Sequence, residues 1–120
     1  MANEGYFSIR LDARKGGSDV TALSSSRFTI SGDDFVKSTQ LIGTTAETVD
    51  FGEISGAPQM CNVSNLDATN FVELGGDAGM TGLKLKLMPG MSNLVSLSSA
   101  TLYAKSDTAP ARIEVTAIES

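Results

Sequence analysis

The sequence is that of a short acidic chain of 120 residues, with a net charge of −5 and a pI near 4.5. Apolar residues make up 41% and charged residues 19% of the chain, a balance that excludes a disordered polypeptide. The negative charge argues against nucleic-acid binding, because phosphate backbones repel an acidic surface. We therefore expect one folded domain over residues 1–120.

Apolar and polar residues alternate along the chain with the period of a strand rather than that of a helix. In chain order, strands are predicted at about residues 6–11, 27–31, 39–43, 47–54, 59–64, 70–74, 81–87, 93–97, 101–105 and 111–118. Gly, Asn, Asp, Ser and Pro separate these strands and supply the turn conformations. The GDDFVKS segment allows one short helix, with Ser31 or Asp33 as its N-cap.

Two segments show the alternation most clearly. In LKLKL, Leu83, Leu85 and Leu87 lie on one predicted face and the two lysines on the other. In RIEVTAI, the apolar residues Ile113, Val115 and Ala117 are predicted to point inward. Many short strands with this pattern predict an all-β fold, an antiparallel β-sandwich or jelly-roll-like single domain.

Residues 12–26, DARKGGSDVTALSSS, are the most polar and least periodic part of the chain. We expect residues 1–26 to form a partly extended N-terminal arm or loop that orders against a neighbour. The first residues have no apolar run of the kind that a secretory signal contains, and no stretch reaches the 18 or so apolar residues of a membrane span. The expected protein has no membrane contact and is synthesised and retained in the cytoplasm until assembly.

The chain contains no histidine and one cysteine, Cys61. These counts exclude a disulfide within the chain, a Ser-His-Asp triad and a histidine-activated cysteine nucleophile, and they make zinc binding improbable. Cys61 lies in the strand-like run QMCNV and is predicted to be a buried small apolar residue. No catalytic, cofactor-binding or metal-binding residue is predicted.

Carboxylates are the remaining candidates for chemistry. The pair Asp33 and Asp34, and the single residues Asp67 and Asp77, all follow or precede glycines and other turn formers, so we interpret them as turn or N-cap residues. A carboxylate-based hydrolase that uses these four residues stays open as an alternative. The DATN and GGDAG segments lack the register of a calcium loop, which leaves only an opportunistic ion between loops.

Two segments together carry a family resemblance: NVSNLDATNFVELG at residues 62–75 and LKLMPGMSNLVSLSSATLYAKSDTAPARIEVTAIES at residues 85–120. With the preceding IGTTAETVDFGEI, this pattern resembles small virion structural proteins of tailed bacteriophages and prophages. The resemblance covers roughly the C-terminal two-thirds of the chain, and residues 1–40 match less clearly.

The resemblance implies a β-sandwich that is part of a phage particle and has no enzymatic activity. We favour a capsid decoration (cement) protein on the capsid surface of the virion. It would bind the major capsid protein and itself as a homo-oligomer, and the resemblance implies a trimer. A tail, baseplate or head-fibre-base protein is the alternative within virions. A carbohydrate-binding adhesion module is the alternative of another class, although the chain has no Trp and only two Tyr on which a sugar ring could stack.

Four residues are candidates for a partner interface. Phe71 and Glu73 share one face of the predicted strand 70–74, and Tyr103 and Lys105 share one face of the strand 101–105. A tyrosine at an interface combines apolar area with a hydroxyl group that needs a hydrogen bond.

Overall fold

The computed structural model describes residues 4–32 and 34–119. The chain is all-β, with antiparallel sheets and no helix among the described residues, as the alternation predicted. The strands are β1 (Glu4–Lys15), β2 (Ser18–Thr29), β3 (Phe35–Ile42), β4 (Glu47–Thr48), β5 (Pro58–Asn65), β6 (Val72–Gly75), β7 (Lys84–Leu87), β8 (Ser92–Val95), β9 (Tyr103–Ser106) and β10 (Ala111–Glu119).

The short helix allowed for GDDFVKS is wrong, because β3 begins at Phe35 and the valine after it continues the strand. Asp33, one of its two predicted caps, lies outside the described residues. None of the described residues form a helix that is long and apolar enough to cross a membrane.

The first compact unit, residues 1–31, is called the hairpin unit below. Its two twelve-residue strands pair antiparallel in register from Glu4 with Thr29 to Lys15 with Ser18. Gly16 and Gly17 connect them with φ angles of 58° and 83°, positive values that glycine adopts without the steric cost of a side chain. Residues 12–15 and 18–26, which the sequence analysis placed in an arm or loop, are therefore strand residues.

The second compact unit, residues 32–120, is called the eight-stranded unit. One sheet has the order β3-β10-β5-β8 and the other the order β4-β9-β6-β7. The pairs β3/β10, β4/β9, β5/β8 and β6/β7 are nested around the β6–β7 connection, as in one long hairpin whose strands are shared between two sheets. All of these pairs are antiparallel.

Both sheets contribute to one hydrophobic cluster. Ile113, Val115 and Ala117 of β10 are fully buried, which confirms the predicted inward face of RIEVTAI. Cys61 of β5 is also fully buried, as predicted. The other members of the cluster are Ile42, Val49, Phe51, Val63, Val72, Leu74, Leu87, Leu102, Ala104 and Ala111.

Two leucines near the ends of strands are exposed, and one of them, Leu83, belongs to the predicted apolar face of LKLKL. Leu83 precedes β7 and is 85% exposed, so only Leu85 and Leu87 of LKLKL face the core. Leu66, at the bend after β5, is 51% exposed, whereas its neighbour Asn65 is buried. The amide of Asn65 satisfies backbone groups inside the bend, which a leucine side chain cannot do.

Candidate interaction surface

The four predicted interface residues lie on one face of the eight-stranded unit. In the β6–β9 register, Glu73 pairs with Lys105 and Gly75 with Tyr103. The intervening residues of β6, Val72 and Leu74, are buried in the core. Because side chains alternate along a strand, Glu73, Tyr103 and Lys105 point away from the core on the same side of the sheet.

Two lysines of β7 join them. Lys86 pairs with Glu73 and Lys84 with Gly75, so both lysines lie on this outer side. The Lys86 Nζ atom lies 4.2 Å from the centroid of the Phe71 ring, a cation–π contact that places Phe71 there as well. The Lys84 Nζ atom lies 3.4 Å from the Glu73 Oε2 atom. We call this surface the lysine face; it consists of Phe71, Glu73, Lys84, Lys86, Tyr103 and Lys105.

The lysine face is positive on an acidic unit. It holds three lysines and one glutamate, whereas the rest of residues 32–120 contains ten Asp and Glu against Lys37 and Arg112. Glu73 lies between two lysines on the neighbouring strands, so its charge is balanced and a positive charge remains. A surface of this kind complements a partner surface with negative charge.

The contribution of Lys84 and Lys86 to this surface was not predicted from the sequence. Alternation in LKLKL correctly placed both lysines on an outer face, but nothing local indicates which strand lies beside them. β6 lies between β7 and β9, and this pairing brings the residues together; it places Glu73 beside Lys105, which is 32 positions away in the sequence.

The NLDATN bend is built around buried amide groups. Asn65 is 1% exposed, and its Nδ2 atom donates to the carbonyl oxygens of Asn70 at 2.8 Å and of Leu87 at 3.0 Å. Its Oδ1 atom accepts a hydrogen bond from the backbone N–H of Asp67 at 2.9 Å. One side chain thereby connects the end of β5, the bend and the end of β7.

Asp67 caps the same bend from outside. Its Oδ2 atom accepts hydrogen bonds from the backbone N–H groups of Asn70 at 2.6 Å and Thr69 at 3.0 Å. These bonds, with that to Asn70 first, lower the pKa of the Asp67 carboxyl group below its ordinary value, because they stabilise the charged form. Asp67 therefore has the geometry of an Asx turn residue, as the sequence analysis interpreted it.

Asp77 is held in the same way in the β6–β7 connection. Its Oδ2 atom accepts from the Thr81 hydroxyl at 2.9 Å and from the Thr81 backbone N–H at 3.3 Å, and these bonds lower the pKa of the Asp77 carboxyl group. Each of these two carboxylates is thus bonded within its own turn. Over residues 4–32 and 34–119, no three His, Cys, Asp or Glu side chains are grouped as metal ligands would be.

A groove of about 230 Å³ lies at one end of the same unit. Its lining is mostly apolar and contains five leucines, two glycines, two serines and a threonine; the leucines are Leu74, Leu83, Leu85, Leu97 and Leu102. No aromatic side chain lines it, so it lacks the flat ring on which a pyranose would stack.

Comparison of the chain with family models, with curated proteins and with solved structures gave no match in any of the three.

Proposed function

We propose that this chain is a structural protein of a tailed-phage particle, without enzymatic activity, that decorates the capsid by binding the major capsid protein. The proposal starts from the resemblance carried by residues 62–75 and 85–120. The structural observation that supports it is the strand order of the eight-stranded unit.

That strand order leads us to propose a jelly-roll β-sandwich. The nested pairs around β6–β7, divided between the sheets β3-β10-β5-β8 and β4-β9-β6-β7, are the arrangement of an eight-stranded jelly roll. Jelly rolls occur in viral capsid proteins, lectins and cupins, so the fold agrees with the virion proposal without requiring it.

The lysine face is the proposed contact with the capsid, and it contains the four interface residues predicted from the sequence, Phe71, Glu73, Tyr103 and Lys105. It combines a positive charge with a tyrosine and a phenylalanine on the outer side of a sheet. Binding there would add contacts between neighbouring capsid subunits, and each added contact would stabilise the assembled shell relative to the free subunits.

A binding experiment with charge-reversed variants tests the contact. Purified chain is added to particles that lack it, and bound protein is measured after sedimentation. We expect the double variant K86E/K105E to lose about tenfold or more in affinity, because two complementary contacts become repulsive. The control is Lys37→Glu, the same change at an exposed residue of β3 in the other sheet. Equal binding by the double variant and the control would reject the lysine face as the contact.

Location on the particle tests the function itself. Antibody-gold labelling of intact particles should mark the heads, and particles without the protein should assemble but lose their DNA at a lower temperature. Label confined to the tail would favour the tail or baseplate alternative. Failure of heads to assemble would mean that the protein is required for assembly rather than for decoration.

The two alternatives outside virion structure have their own tests. Specific binding to a glycan array would favour a carbohydrate-binding module, a function that other jelly rolls perform. A hydrolase that uses Asp34, Asp67 or Asp77 would lose its activity on their replacement by Asn, but the bonds that hold Asp67 and Asp77 within their turns favour a structural role.

A further inference from the structure

The hairpin unit has one apolar side and one charged side. Cross-strand partners in an antiparallel pair point to the same side, so the register sorts its residues into two sets. The set called the apolar face consists of Gly5, Phe7, Ile9, Leu11, Ala13, Lys15, Ser18, Val20, Ala22, Ser24, Ser26 and Phe28. The set called the charged face consists of Glu4, Tyr6, Ser8, Arg10, Asp12, Arg14, Asp19, Thr21, Leu23, Ser25, Arg27 and Thr29.

The two sets differ sharply in charge. Six of the seven charged residues among them are on the charged face, where Arg14 Nε lies 3.0 Å from Asp19 Oδ1. Seven residues of the apolar face are hydrophobic, and Ile9, Leu11 and Val20 among them are 51%, 63% and 60% exposed. A two-stranded hairpin is only marginally stable in water, so this exposed apolar face needs a covering partner.

The apolar face has a ridge beside a groove. Each rung pairs one large residue with one small residue, and Phe7, Ile9 and Leu11 of β1 stand opposite Ser26, Ser24 and Ala22 of β2. Phe28 reverses this order at one end of the face, where its ring occupies the space that a Cβ atom on Gly5 would need. Val20 reverses it near the turn, where it stands opposite Ala13. In the centre of the face, the large side chains of β1 therefore form a ridge, and the small side chains of β2 leave a groove beside it.

This shape is complementary to itself. Consider two hairpins stacked with their apolar faces in contact and related by a two-fold axis that lies between them and runs parallel to the strands. This axis places β1 of one copy over β2 of the other, with each residue facing the residue that is its cross-strand partner within one hairpin; such a level is called a rung. Leu11 then lies over Ala22 of the second copy and Ile9 over its Ser24, so that each ridge enters a groove. An axis perpendicular to the strands would instead place ridge against ridge. Symmetric contacts between identical patches are the commonest way in which identical chains associate.

We propose that the apolar face of the hairpin unit binds the same face of a second copy of this chain, with the two hairpins stacked side by side in the same direction. The inference does not depend on the proposed function. The contact pairs two copies, and it is distinct from the three-fold association that the phage resemblance implies.

The size of the face sets the expected strength. Twelve residues at about 3.4 Å each and two strands about 4.8 Å apart give a face of roughly 40 by 10 Å, so the pair covers roughly 800 Å². Stable complexes bury at least about 1,200 Å². The dimer should therefore be weak in dilute solution, and it would strengthen where copies are held close together, as in an array.

Sedimentation velocity over a wide concentration range tests the pairing with two leucines. Leu11 is on the apolar face and Leu23 on the charged face, and they are 63% and 64% exposed. We expect Leu11→Asp to raise the dimer Kd by roughly 100-fold, because the symmetric contact carries the change twice, and Leu23→Asp to leave it within about threefold. Equal effects of the two changes, or a wild-type chain that stays monomeric up to about 1 mM, would overturn the proposal.

A second pair of variants tests the ridge and groove. Ala22→Phe adds apolar area but fills the groove, so the dimer should weaken; Thr21→Phe adds the same side chain on the charged face and should have little effect. A stronger dimer with Ala22→Phe would mean that the apolar face associates through its hydrophobic area alone, and it would overturn the ridge-in-groove arrangement. Hydrogen exchange at the amides of residues 4–29 checks that the hairpin persists in every variant, and only variants that retain it are compared.

Crosslinking distinguishes the two stacking directions. A mixture of Ala13→Cys and Val20→Cys chains should crosslink through a thiol reagent with a spacer of about 10 Å, the distance between stacked sheets. A mixture of Ala13→Cys and Ser26→Cys chains should give no product that joins the two different variants, since these residues are six rungs apart. Products that join two copies of one variant are expected in either mixture, because each residue lies beside its own symmetry mate, and mass spectrometry separates them. The opposite result would place the hairpins head to tail and overturn the ridge-in-groove arrangement. Binding of an unrelated partner by a chain that does not self-associate would overturn it as well.

Discussion

The Asn70 side chain joins two turns that are 38 residues apart in the sequence: its Oδ1 atom accepts hydrogen bonds from the Thr108 hydroxyl at 2.8 Å and from the Thr108 backbone N–H at 3.3 Å. The backbone N–H of Asp107 also donates to the Phe71 carbonyl oxygen at 3.1 Å. These contacts attach the bend before β6 to the turn after β9. They therefore fix one end of the lysine face, where Phe71 lies beside the turn that follows Lys105 and Ser106.

Removing the Thr108 hydroxyl should uncouple the two turns. We expect Thr108→Val, which keeps the side-chain shape, to lower the free energy of unfolding by about 1 kcal/mol, because Asn70 is nearly buried and loses its shorter bond. A double-mutant cycle with Asn70→Ala in urea unfolding should give a coupling energy of about 1 kcal/mol. Additive effects of the two changes would contradict the contact.

Asn65 should be the most sensitive polar residue of the bend. Asn65→Ala leaves the carbonyl oxygens of Asn70 and Leu87 and the N–H of Asp67 without this partner, so we expect a loss of about 3 kcal/mol in the free energy of unfolding. Urea denaturation measures it. The control is Asn62→Ala on the same strand, where the half-buried amide donates only to Ser64 Oγ at 3.3 Å and the cost should be below about 1 kcal/mol. Equal losses would show that the amide network is not what stabilises the bend.

Asp67 should make the stability of the chain depend on pH in acid. The pKa of its carboxyl group is lower in the folded than in the unfolded chain, where it takes the ordinary value of 3.8. Its charged form therefore contributes stability above that value, and the contribution disappears as the pH falls through the lower folded pKa. Asp67→Asn should be destabilising at pH 7, and its difference from the wild type should shrink towards pH 2. Thermal unfolding across this range measures the difference, with Asp107→Asn in the exposed turn as control. A difference that stays constant with pH would contradict the role of the charge.

The Cys61 thiol should be unreactive in the folded chain. Burial raises its pKa to about 11, so only about one thiol in a thousand is ionised at pH 8. We expect no labelling by a thiol reagent at pH 8 until denaturant opens the core, and the labelling rate then reports the opening of β5. A Ser98→Cys variant, at an exposed residue, should label at once and provides the control. Rapid labelling of native Cys61 would mean that β5 opens readily.

The double glycine between β1 and β2 should be needed for the hairpin. Both residues have positive φ, so Gly17→Val should strain the turn and reduce amide protection in residues 4–29. Gly16→Asn is the matched control, since asparagine adopts this conformation far more readily than a β-branched residue does. Hydrogen exchange measures the effect, and the eight-stranded unit provides an internal reference. Equal protection in the two variants would contradict the importance of the turn conformation.

Local sequence determined which residues form strands and, in most strands, which side faces inward, because alternation with period two needs no knowledge of the neighbours. Ile113, Val115, Ala117 and Cys61 are buried for this reason. The composition also determined that the chain has no histidine, so a Ser-His-Asp triad is excluded. The phage resemblance remains the sequence's main indication of function.

Tertiary structure determined which strands are neighbours in each sheet and in which register they pair. Residues 12–26 have no regular alternation in the sequence, because Ser24 and Ser26 interrupt the apolar positions. The apolar face can be recognised only from the register of the hairpin, which places those serines opposite Ile9 and Phe7. The lysine face likewise needs β6 to lie between β7 and β9. Register and sheet order depend on contacts between distant residues, and these are set by the free energy of the whole packed chain rather than by any local segment.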